Sequence, residues 1–390
     1  MFSRDDLKFF QKSWLSLDRK VFFIYILLLS LGCLFSFSIS TSVANLLNVS
    51  EYYFFRRHIL FSIVSLALVL VMSQLGSISA RNSAILLFQA SIILLILVQF
   101  AGFQTKGARR WFYIAGISLQ PSEFIKPSLI VLNAYLLDRS IKTGNFGNLV
   151  VSLFAYGVAA LLILKQPDIG TFLLVSLVFF MQIFLMDFFK LKYCMYALIS
   201  AICILVIIYA TSPHVSERIA SFLASLVDIE KANYQVKRSL MAYRNANWLG
   251  RGFLEGEIKN YLPDVHTDFI FPAIVEEFGF LVALAILFAY FYLSMRILLT
   301  AQHKNSNFEF IALTGLVLLI YIQTSINLCV SLNLAPTKGI TLPLLSYGGS
   351  SLVGTAVIFG YIFVFAKKSF GFYTSPAKIT ASLNLHQNSL

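Results

Sequence analysis

Long apolar stretches recur along this chain, and they constrain its fold more than any other feature. Each has about 18 or more residues, enough for a helix to cross a hydrocarbon layer of about 30 Å. Of the 390 residues, 58% are hydrophobic and 12% are charged, whereas a soluble domain has about 25% charged residues. A membrane β-barrel would show short segments of alternating polarity. The pattern therefore predicts a helical protein that crosses the membrane many times.

The fold class predicted is an all-α polytopic membrane protein of about ten transmembrane helices. A long extracytoplasmic loop, residues 212–268, is expected between the seventh and eighth helices, and the connection 104–120 is also long. We expect a cytoplasmic N-terminal segment at 1–20, a transmembrane domain at 21–366 and a cytoplasmic tail at 367–390. The expected spans are 21–43, 58–75, 84–103, 121–138, 147–165, 169–187, 191–211, 269–297, 308–332 and 348–366.

Lys and Arg flank these spans unevenly. They occur in both terminal segments and in the even-numbered connections, for example at Arg81, Arg139, Lys190 and Arg296. Because cytoplasmic loops carry an excess of Lys and Arg, both termini are predicted to be cytoplasmic. The net charge of +12 is then explained by basic cytoplasmic loops that face anionic lipid head groups. No nucleic-acid partner is expected.

The segment KGARRW, residues 106–111, falls on the outer side in this topology, against the charge rule. Two interpretations stay open at this point. The loop could be one exception to a statistical rule, or Lys106, Arg109 and Arg110 could hold an anion on the outer face. Within the longer loop, residues 217–244 have apolar side chains at helical spacing, which predicts one or two amphipathic helices at the membrane surface.

The stretch PDVHTDFIFPAIVEEFG, residues 263–279, places a carboxylate at the mouth of a span. Asp268, after His266 and Thr267, could be a general base whose pKa is raised by partial desolvation. Alternatively, Thr267 or Asp268 could cap the helix that follows. Glu276 and Glu277 lie about 12 Å further along that helix. Acids at membrane depth usually face a cavity or a basic partner, and a structural polar cluster is the favoured interpretation for this pair.

Other polar groups lie near predicted span ends. In QPSEFIKPS, residues 120–128, Glu123 and Lys126 share a helix face, so they could pair with each other or face the same cavity as Asp268. Asp168, in KQPDIGT, could cap a helix or join that cavity. The segment KGITLPLLSYGGSS, residues 338–351, can be non-helical at membrane depth only where it lines a cavity or packs on protein, and it supplies Ser346 and Tyr347.

No nucleotide-binding loop, zincin motif or nucleophile elbow is present in the sequence. The four cysteines fall within predicted spans, where small apolar packing explains them, and they form no metal-ligand spacing. We therefore predict no metal site and no certain cofactor. A divalent cation such as Mg²⁺ or Mn²⁺ could still assist with a phosphorylated substrate, and the residue pattern leaves this open.

Together these motifs resemble the SEDS family (shape, elongation, division and sporulation), the FtsW/RodA group. The matching blocks follow one another in the family's order and, with the span pattern, cover nearly the whole chain. The last block is more similar to the division branch than to the elongation branch. Between the second and third blocks this chain departs from the family pattern, with Leu254 in place of a Gly and Gly256 in place of a Ser, while Lys259 is kept. The blocks are KGARRWFYIAGISLQPSEFIK (106–126), KQPDIGT (165–171), YLPDVHTDFIF (261–271) with EEFG (276–279), and PTKGITLPLLSYGGSS (336–351).

The resemblance implies a peptidoglycan glycosyltransferase that polymerises lipid II on the outer face of the bacterial cytoplasmic (inner) membrane, at the division septum. It implies that Asp268 is the essential aspartate and that Lys126 is a cavity residue near it. Lys106, Arg109, Arg110 and Lys126 are the candidate ligands of the substrate's pyrophosphate. The implied partners are lipid II, the polyprenyl-pyrophosphate-linked glycan, a class B penicillin-binding transpeptidase and other membrane proteins of the division complex.

Three alternatives remain at this point. A flippase for lipid-linked precursors would also need cationic cavity residues, but with a polar path to both faces of the membrane. An elongation-branch polymerase would share the chemistry and differ in its partner. A scaffold without enzymatic activity would make Asp268 and Lys126 dispensable.

Overall fold

The computed structural model describes residues 17–47, 49–105, 108–114, 116–185 and 213–367. The predicted span 191–211 and most of the two predicted terminal segments lie outside these ranges. Each of the other predicted spans coincides with a helix. The helices are α1 (Arg19–Leu47), α2 (Tyr53–Met72), α3 (Ser77–Ala101), α4 (Ser122–Thr143), α5 (Gly147–Lys165), α6 (Ile169–Phe184), α7 (Pro213–Val227), α8 (Tyr234–Asn245), α9 (Ile270–Gln302), α10 (Asn307–Ser331) and α11 (Gly349–Phe365).

Six of the described helices have the length and composition of membrane spans. Among the described residues, α1, α2, α3, α5, α9 and α10 are each long and apolar enough to cross a membrane, and α6 and α11 are shorter apolar helices. Helix α4 is more polar because it carries charged residues near both ends, yet most of its residues are buried. The predicted class, a helical protein that crosses the membrane many times, is confirmed.

Helix α11 lies at the centre of the bundle. All residues from 354 to 366 are buried, and the helix contacts α2, α4 and α10. A helix that is apolar all round has no face for water and is expected to be enclosed by its neighbours. Its interior position places the loop that precedes it, residues 332–348, inside one end of the bundle.

A three-stranded antiparallel sheet occupies the long connection expected at 104–120. Its strands are β1 (Phe103–Thr105), β2 (Ala108–Ile114) and β3 (Ile117–Leu119), with β2 in the middle. The register pairs Phe103 with Trp111 and Phe112 with Leu119. Aromatic and β-branched residues favour such strands. Within the described residues, this sheet is the part of the fold that the expectation of an all-α chain left out.

The long outer loop contains the helices expected from its amphipathic pattern. It forms α7, a short 3-10 turn at Ile229–Lys231, α8 and a second 3-10 turn at Ile258–Asn260. Helix α8 is fixed to the end of α10, where Ser239 Oγ donates to the Ser331 carbonyl at 2.6 Å. The apolar side chains of Leu223 and Leu226 on α7 are more than half exposed. The apolar face of α7 is thus only partly covered by protein.

The irregular connections that carry the predicted motifs meet at one end of the bundle, which we call the site end. There, Ser350 Oγ donates to the Ser118 carbonyl at 2.7 Å, and the Tyr347 N–H donates to the His266 carbonyl at 2.8 Å. At the opposite end, Arg296 pairs with Asp18 at 2.9 Å. The alternation of the helices therefore gathers residues that are far apart in sequence.

A buried polar network joins four helices in the half of the bundle away from the site end. Asn133 on α4 donates to Gln182 on α6 at 2.9 Å and accepts from Ser152 on α5 at 2.5 Å. Gln182 also donates to the carbonyls of Ile130 and Ile311, each at 3.1 Å. Because water is scarce at this depth, each partner here satisfies a group that would otherwise stay unpaired.

We expect Gln182→Leu to destabilise the bundle by about 1–2 kcal/mol, since it leaves the Asn133 amide without its partner. Unfolding in detergent, followed by circular dichroism, measures the change. The matched control is Gln99→Leu on α3, because the Gln99 amide donates within its own helix, to the Leu95 carbonyl at 3.4 Å. Equal effects of the two substitutions would contradict the structural role of the network.

Candidate active site

Asp268 ends a turn immediately before α9. The N–H groups of Thr267 and Asp268 each donate to the Asp264 carbonyl at 3.1 Å, and Asp264 has a left-handed φ of 55°. Phe269 occupies the N-cap position of α9 without a side-chain capping bond, and the Thr267 hydroxyl donates to the Asp264 carbonyl at 3.2 Å. Neither of the two predicted capping residues therefore holds the cap position.

The Asp268 carboxylate lies against the backbone at Gly339. A Cβ atom built on Gly339 would stand 3.1 Å from Asp268 Oδ2. A side chain at position 339 would therefore crowd the carboxylate. The absence of one lets the loop between α10 and α11 approach it closely.

Asn327 on α10 ties these two segments together. Its Nδ2 donates to the carbonyls of Asp268 and Ile340, both at 2.7 Å. Asn327 is 2% exposed, and its Oδ1 is buried with no hydrogen-bond partner in the described structure. One amide thus fixes the backbone on both sides of the carboxylate.

Lys126 and Glu123 form a buried ion pair at 2.8 Å on the first turns of α4. Lys126 Nζ also donates to Gln323 Oε1 at 3.4 Å. Gln323 lies one turn before Asn327 on α10, and its Nε2 donates to the Thr341 carbonyl at 3.0 Å. Lys126 is therefore linked to the same 338–341 backbone that approaches Asp268.

Arg110 reaches from β2 to the turn between α5 and α6. Its guanidinium donates to the carbonyls of Gln166 and Pro167 at 2.8 and 2.7 Å. Asp168, next in this turn, is the N-cap of α6 and accepts from the Thr171 N–H at 3.3 Å and from the Thr171 hydroxyl at 3.0 Å. Asp168 is thus a helix cap that also lies among the cations of the site.

Lys338 is the cation with the most perturbed surroundings. Burial, together with nearby Arg218 and Arg110, lowers the pKa of Lys338 to about 8, and Asp168 opposes this shift. The Lys338 Cβ lies 3.6 Å from the position that a Cβ on Gly170 would take, which places it over the start of α6. Lys338 thus has two arginines and one acid in its surroundings, and this excess of positive charge favours an anion.

A cavity of about 320 Å³ adjoins this cluster under α7. Arg218 and Glu217 line it from α7, and Asn333 and Thr337 line it from the loop that leads to Lys338. Of the three cations, Arg218 lines this cavity, which therefore lies between the cation cluster and the outer loop.

The remaining predicted site residues have varied positions. Lys106 lies outside the described residues. Arg109 is exposed and donates to the carbonyls of Gln99 and Phe100, both at 3.3 Å, so it holds the end of α3. Ser346 donates to the Thr267 carbonyl at 2.5 Å, and the Tyr347 ring lies 5.7 Å from the His266 ring. These last residues support the turn that ends at Asp268.

Glu276 and Glu277 lie in a second cluster. Glu277 forms an ion pair with Lys259 in which both side chains are at most 4% exposed, and it accepts from the Ser38 hydroxyl at 2.5 Å. Glu276 accepts from the Ile258 N–H at 3.0 Å. Both acids lie in the first turns of α9 and face partners in the outer loop. This is the arrangement of a structural polar cluster.

Sequence reasoning did not select Lys338, Asn327, Gln323 or Arg218 as site residues. Gln323 and Asn327 are polar groups four apart in an otherwise apolar span, a pattern that indicates a buried polar face. No group of three or more His, Cys, Asp or Glu side chains in the described part of the chain could hold a metal ion.

The fold and this site define a class, an integral membrane protein of many spans with a charged site in one end of its helix bundle. The model of the FtsW/RodA/SpoVE family, described as cell cycle proteins, matches residues 18–369. The chain belongs to this family, which confirms the resemblance seen in the motifs.

Curated relatives agree with this assignment. The chain is 33% identical over 373 residues to the probable peptidoglycan glycosyltransferase FtsW of Caulobacter vibrioides, covering 95% of each chain. It is 34% identical to the FtsW of Trichlorobacter lovleyi, over 86% of this chain and 89% of that one. It is also 35% identical to the peptidoglycan glycosyltransferase MrdB of Helicobacter pylori, over 76% of this chain and 81% of the relative.

Two solved structures share the fold. One is described as a peptidoglycan synthase complex that coordinates polymerisation and crosslinking; its chain has a TM-score of 0.73 and 24% identity, with 90% of this chain and 98% of that chain covered. The other is the rod shape determining protein RodA of Thermus thermophilus, with a TM-score of 0.67, 22% identity and coverage of 92% and 99%. At these identities the likeness concerns the fold alone.

We expect Asn327→Leu to destabilise the protein by about 2–3 kcal/mol, because it removes two hydrogen bonds to backbone carbonyls. The loss should be concentrated in the loop 332–341, which should become sensitive to limited proteolysis. Asn82→Leu, at an exposed position of α3, is the matched control. Wild-type resistance of this loop in Asn327→Leu would show that the amide does not hold it.

Proposed function

We propose that this chain is a peptidoglycan glycosyltransferase that polymerises lipid II into glycan strands during septal wall synthesis. The relatives named FtsW support the activity and the division branch. The observation that carries the proposal for the site is the position of the Asp268 carboxylate against Gly339, next to Lys338 and its neighbouring arginines. This arrangement puts a base beside an anion site.

The proposed reaction is a glycosyl transfer between two lipid-linked sugars. The 4-hydroxyl of the acceptor's GlcNAc attacks the anomeric carbon of the donor's MurNAc, and the bond from that carbon to the pyrophosphate breaks. Asp268 accepts the proton of the attacking hydroxyl, a role worth about 10²–10⁴-fold in rate. The buried Asn327 bond fixes the backbone at this aspartate, which limits the carboxylate to a narrow range of positions.

The leaving group is polyprenyl pyrophosphate, and its charge needs cations. Lys338, Arg110 and Arg218 are the best placed, since both arginines act on Lys338 and the three positive charges exceed the one negative charge of Asp168. Lys126 already pairs with Glu123, and Arg109 holds the end of α3 and is not among the charges that act on Lys338, so we assign them supporting positions. The pyrophosphate bond supplies the free energy, in keeping with a sequence that has no ATP-binding motif.

The site end is assigned to the outer face of the cytoplasmic membrane. Basic residues such as Arg296, Lys304 and Lys367 lie at the opposite end, which favours a cytoplasmic location for that end and for both termini. The lipid tails of the substrates would lie in the membrane beside the bundle. The proposed partner is a crosslinking enzyme, a class B penicillin-binding transpeptidase, which works at the septum with other division proteins.

A flippase is the second candidate. It requires a polar path that reaches both faces. The site groups named above all lie at the site end, and the Asn133, Gln182 and Ser152 network, in the other half of the bundle, is occupied by its own hydrogen bonds. This arrangement favours chemistry at one face. Vesicles that contain the purified protein and show lipid II flipping without polymerisation would reverse the ranking.

Asp268→Asn should lower lipid II polymerisation by at least about 10²-fold, since the amide cannot accept the proton. The assay uses the purified full chain with its transpeptidase partner and resolves glycan products on gels. Asp228→Asn is the matched control, because Asp228 is the N-cap of an exposed 3-10 turn in the outer loop and Asn caps equally well. Wild-type polymer from a folded Asp268→Asn variant would eliminate Asp268 as the base.

The pH profile tests Lys338. Its pKa of about 8, lowered from 10.5, means that the free enzyme loses this positive charge as pH rises through 8. Because kcat/KM reports the free enzyme, we expect kcat/KM to fall above about pH 8 in the wild type. Lys338→Arg keeps the charge and should move the decline to higher pH. An identical alkaline limb in both proteins would exclude Lys338 as its origin.

A further inference from the structure

Helix α9 is interrupted near its start. Gly279 has φ 84° and ψ 172°, which is not helical, and it separates the first turns, residues 270–278, from the long remainder. A break inside a membrane helix leaves backbone groups that must find partners in the protein. Residues 270–277 are all buried, so these partners come from neighbouring segments.

The outer-loop segment 247–252 supplies the partners in both directions. Two of its N–H groups donate to carbonyls just before the break, and two of its carbonyls accept from N–H groups just after it. The bonds are Arg251 N–H to Glu276 O (2.9 Å), Gly252 N–H to Glu277 O (3.1 Å), Phe280 N–H to Asn247 O (3.2 Å) and Leu281 N–H to Trp248 O (3.2 Å). The loop and the broken helix thus satisfy each other's backbone.

Two glycines permit this close approach. A Cβ on Gly279 would lie 2.3 Å from the Trp248 carbonyl oxygen and 2.4 Å from Gly250 N, and a Cβ on Gly250 would lie 2.1 Å from the Glu277 carbonyl oxygen. Both glycines have left-handed φ values, 78° at Gly250 and 84° at Gly279. The two backbones are in direct contact, with no room for side chains between them.

A buried ion pair reinforces this contact from the side chains. Lys259 pairs with Glu277, and its Nζ also donates to Ser38 Oγ on α1 at 3.1 Å. A Cβ on Gly256 would lie 2.7 Å from Glu277 Cγ, so the loop passes directly over the glutamate. Charges on the loop and on α9 thus neutralise each other against α1, and removal of one would leave the other buried alone.

From these contacts we infer that Glu277 and Lys259 are positioning residues that hold the first turns of α9, and with them Asp268, at a fixed place in the site. A helical segment of about nine residues is marginal alone, so its position depends on such contacts. The inference rests on the proposed function, in which Asp268 is the base. A shift of about 1 Å in a reacting group can cost about 10²-fold in rate.

The test reverses the ion pair. Lys259→Glu and Glu277→Lys should each lower kcat for lipid II polymerisation by about 10²-fold, with KM changed far less, because the substrate contacts lie elsewhere. The double variant restores a pair of opposite charges and should regain at least tenfold of the loss. The matched control reverses Lys237 and Glu230, an exposed pair at 2.9 Å in the same loop, and should leave kcat unchanged.

Hydrogen exchange gives a readout that does not depend on the reaction. Amides 251, 252, 280 and 281 should be protected together in the wild type and exposed together in Gly279→Ala. Gly144→Ala controls for backbone strain, since Gly144 has φ 63° and a Cβ there meets nothing within 4 Å. If the wild type makes no polymer, the proposed function fails. Hydrogen exchange still decides whether segment 247–252 holds the first turns of α9. Folded single variants with wild-type kcat, or unchanged protection in Gly279→Ala, would overturn the inference.

Discussion

One buried amide, that of Asn327, holds together the two irregular segments on which the site depends. Its nitrogen satisfies the carbonyls of Asp268 and Ile340 at 2.7 Å each. Irregular backbone is tolerated at membrane depth only where protein replaces water as the hydrogen-bond partner. Ser346, which donates to the Thr267 carbonyl, and the segment 247–252, which bonds the broken α9, serve the same purpose. The geometry around Asp268 is therefore a by-product of satisfying backbone groups that water cannot reach.

The cations of the site differ in how fully a nearby opposite charge compensates them. Lys126 and Lys259 each have a buried carboxylate partner, and such pairs contribute more to specific geometry than to net stability. Arg109 and Arg110 are bound to carbonyl groups, which satisfy their hydrogen bonds but leave their charge in place. Burial lowers the pKa of Lys338, and two neighbouring arginines add to this effect against one acid. An anionic substrate would offset the positive charge around Lys338. Lys338 was not selected from the sequence, yet it carries much of the proposed stabilisation of the leaving group.

Hydropathy alone located a helix at every predicted span that falls within the described residues, because bilayer thickness sets the length of a helix that crosses it. The sheet at 103–119 was missed, since pairing of three short strands depends on contacts that no local pattern reveals. Arg109 and Arg110 were treated alike, yet neighbours in a strand point to opposite faces, and Arg110 alone reaches the turn before α6. The break at Gly279 was also unforeseen, because a single Gly inside an apolar helical pattern is usually tolerated without interruption. The family motifs located Asp268, but its immediate surroundings required three-dimensional contacts.

The contacts that complete the site join residues made early with residues made late. Lys126 is hydrogen-bonded to Gln323, and Ser118 to Ser350. Asp268 is hydrogen-bonded to Asn327, which follows it by 59 residues. A ribosome must therefore deliver almost the whole chain to the membrane before a working site can exist. Nascent or prematurely terminated chains that end before α10 would carry the aspartate without its supports. We therefore expect glycan synthesis only from fully inserted molecules, because incomplete chains lack the residues that support Asp268.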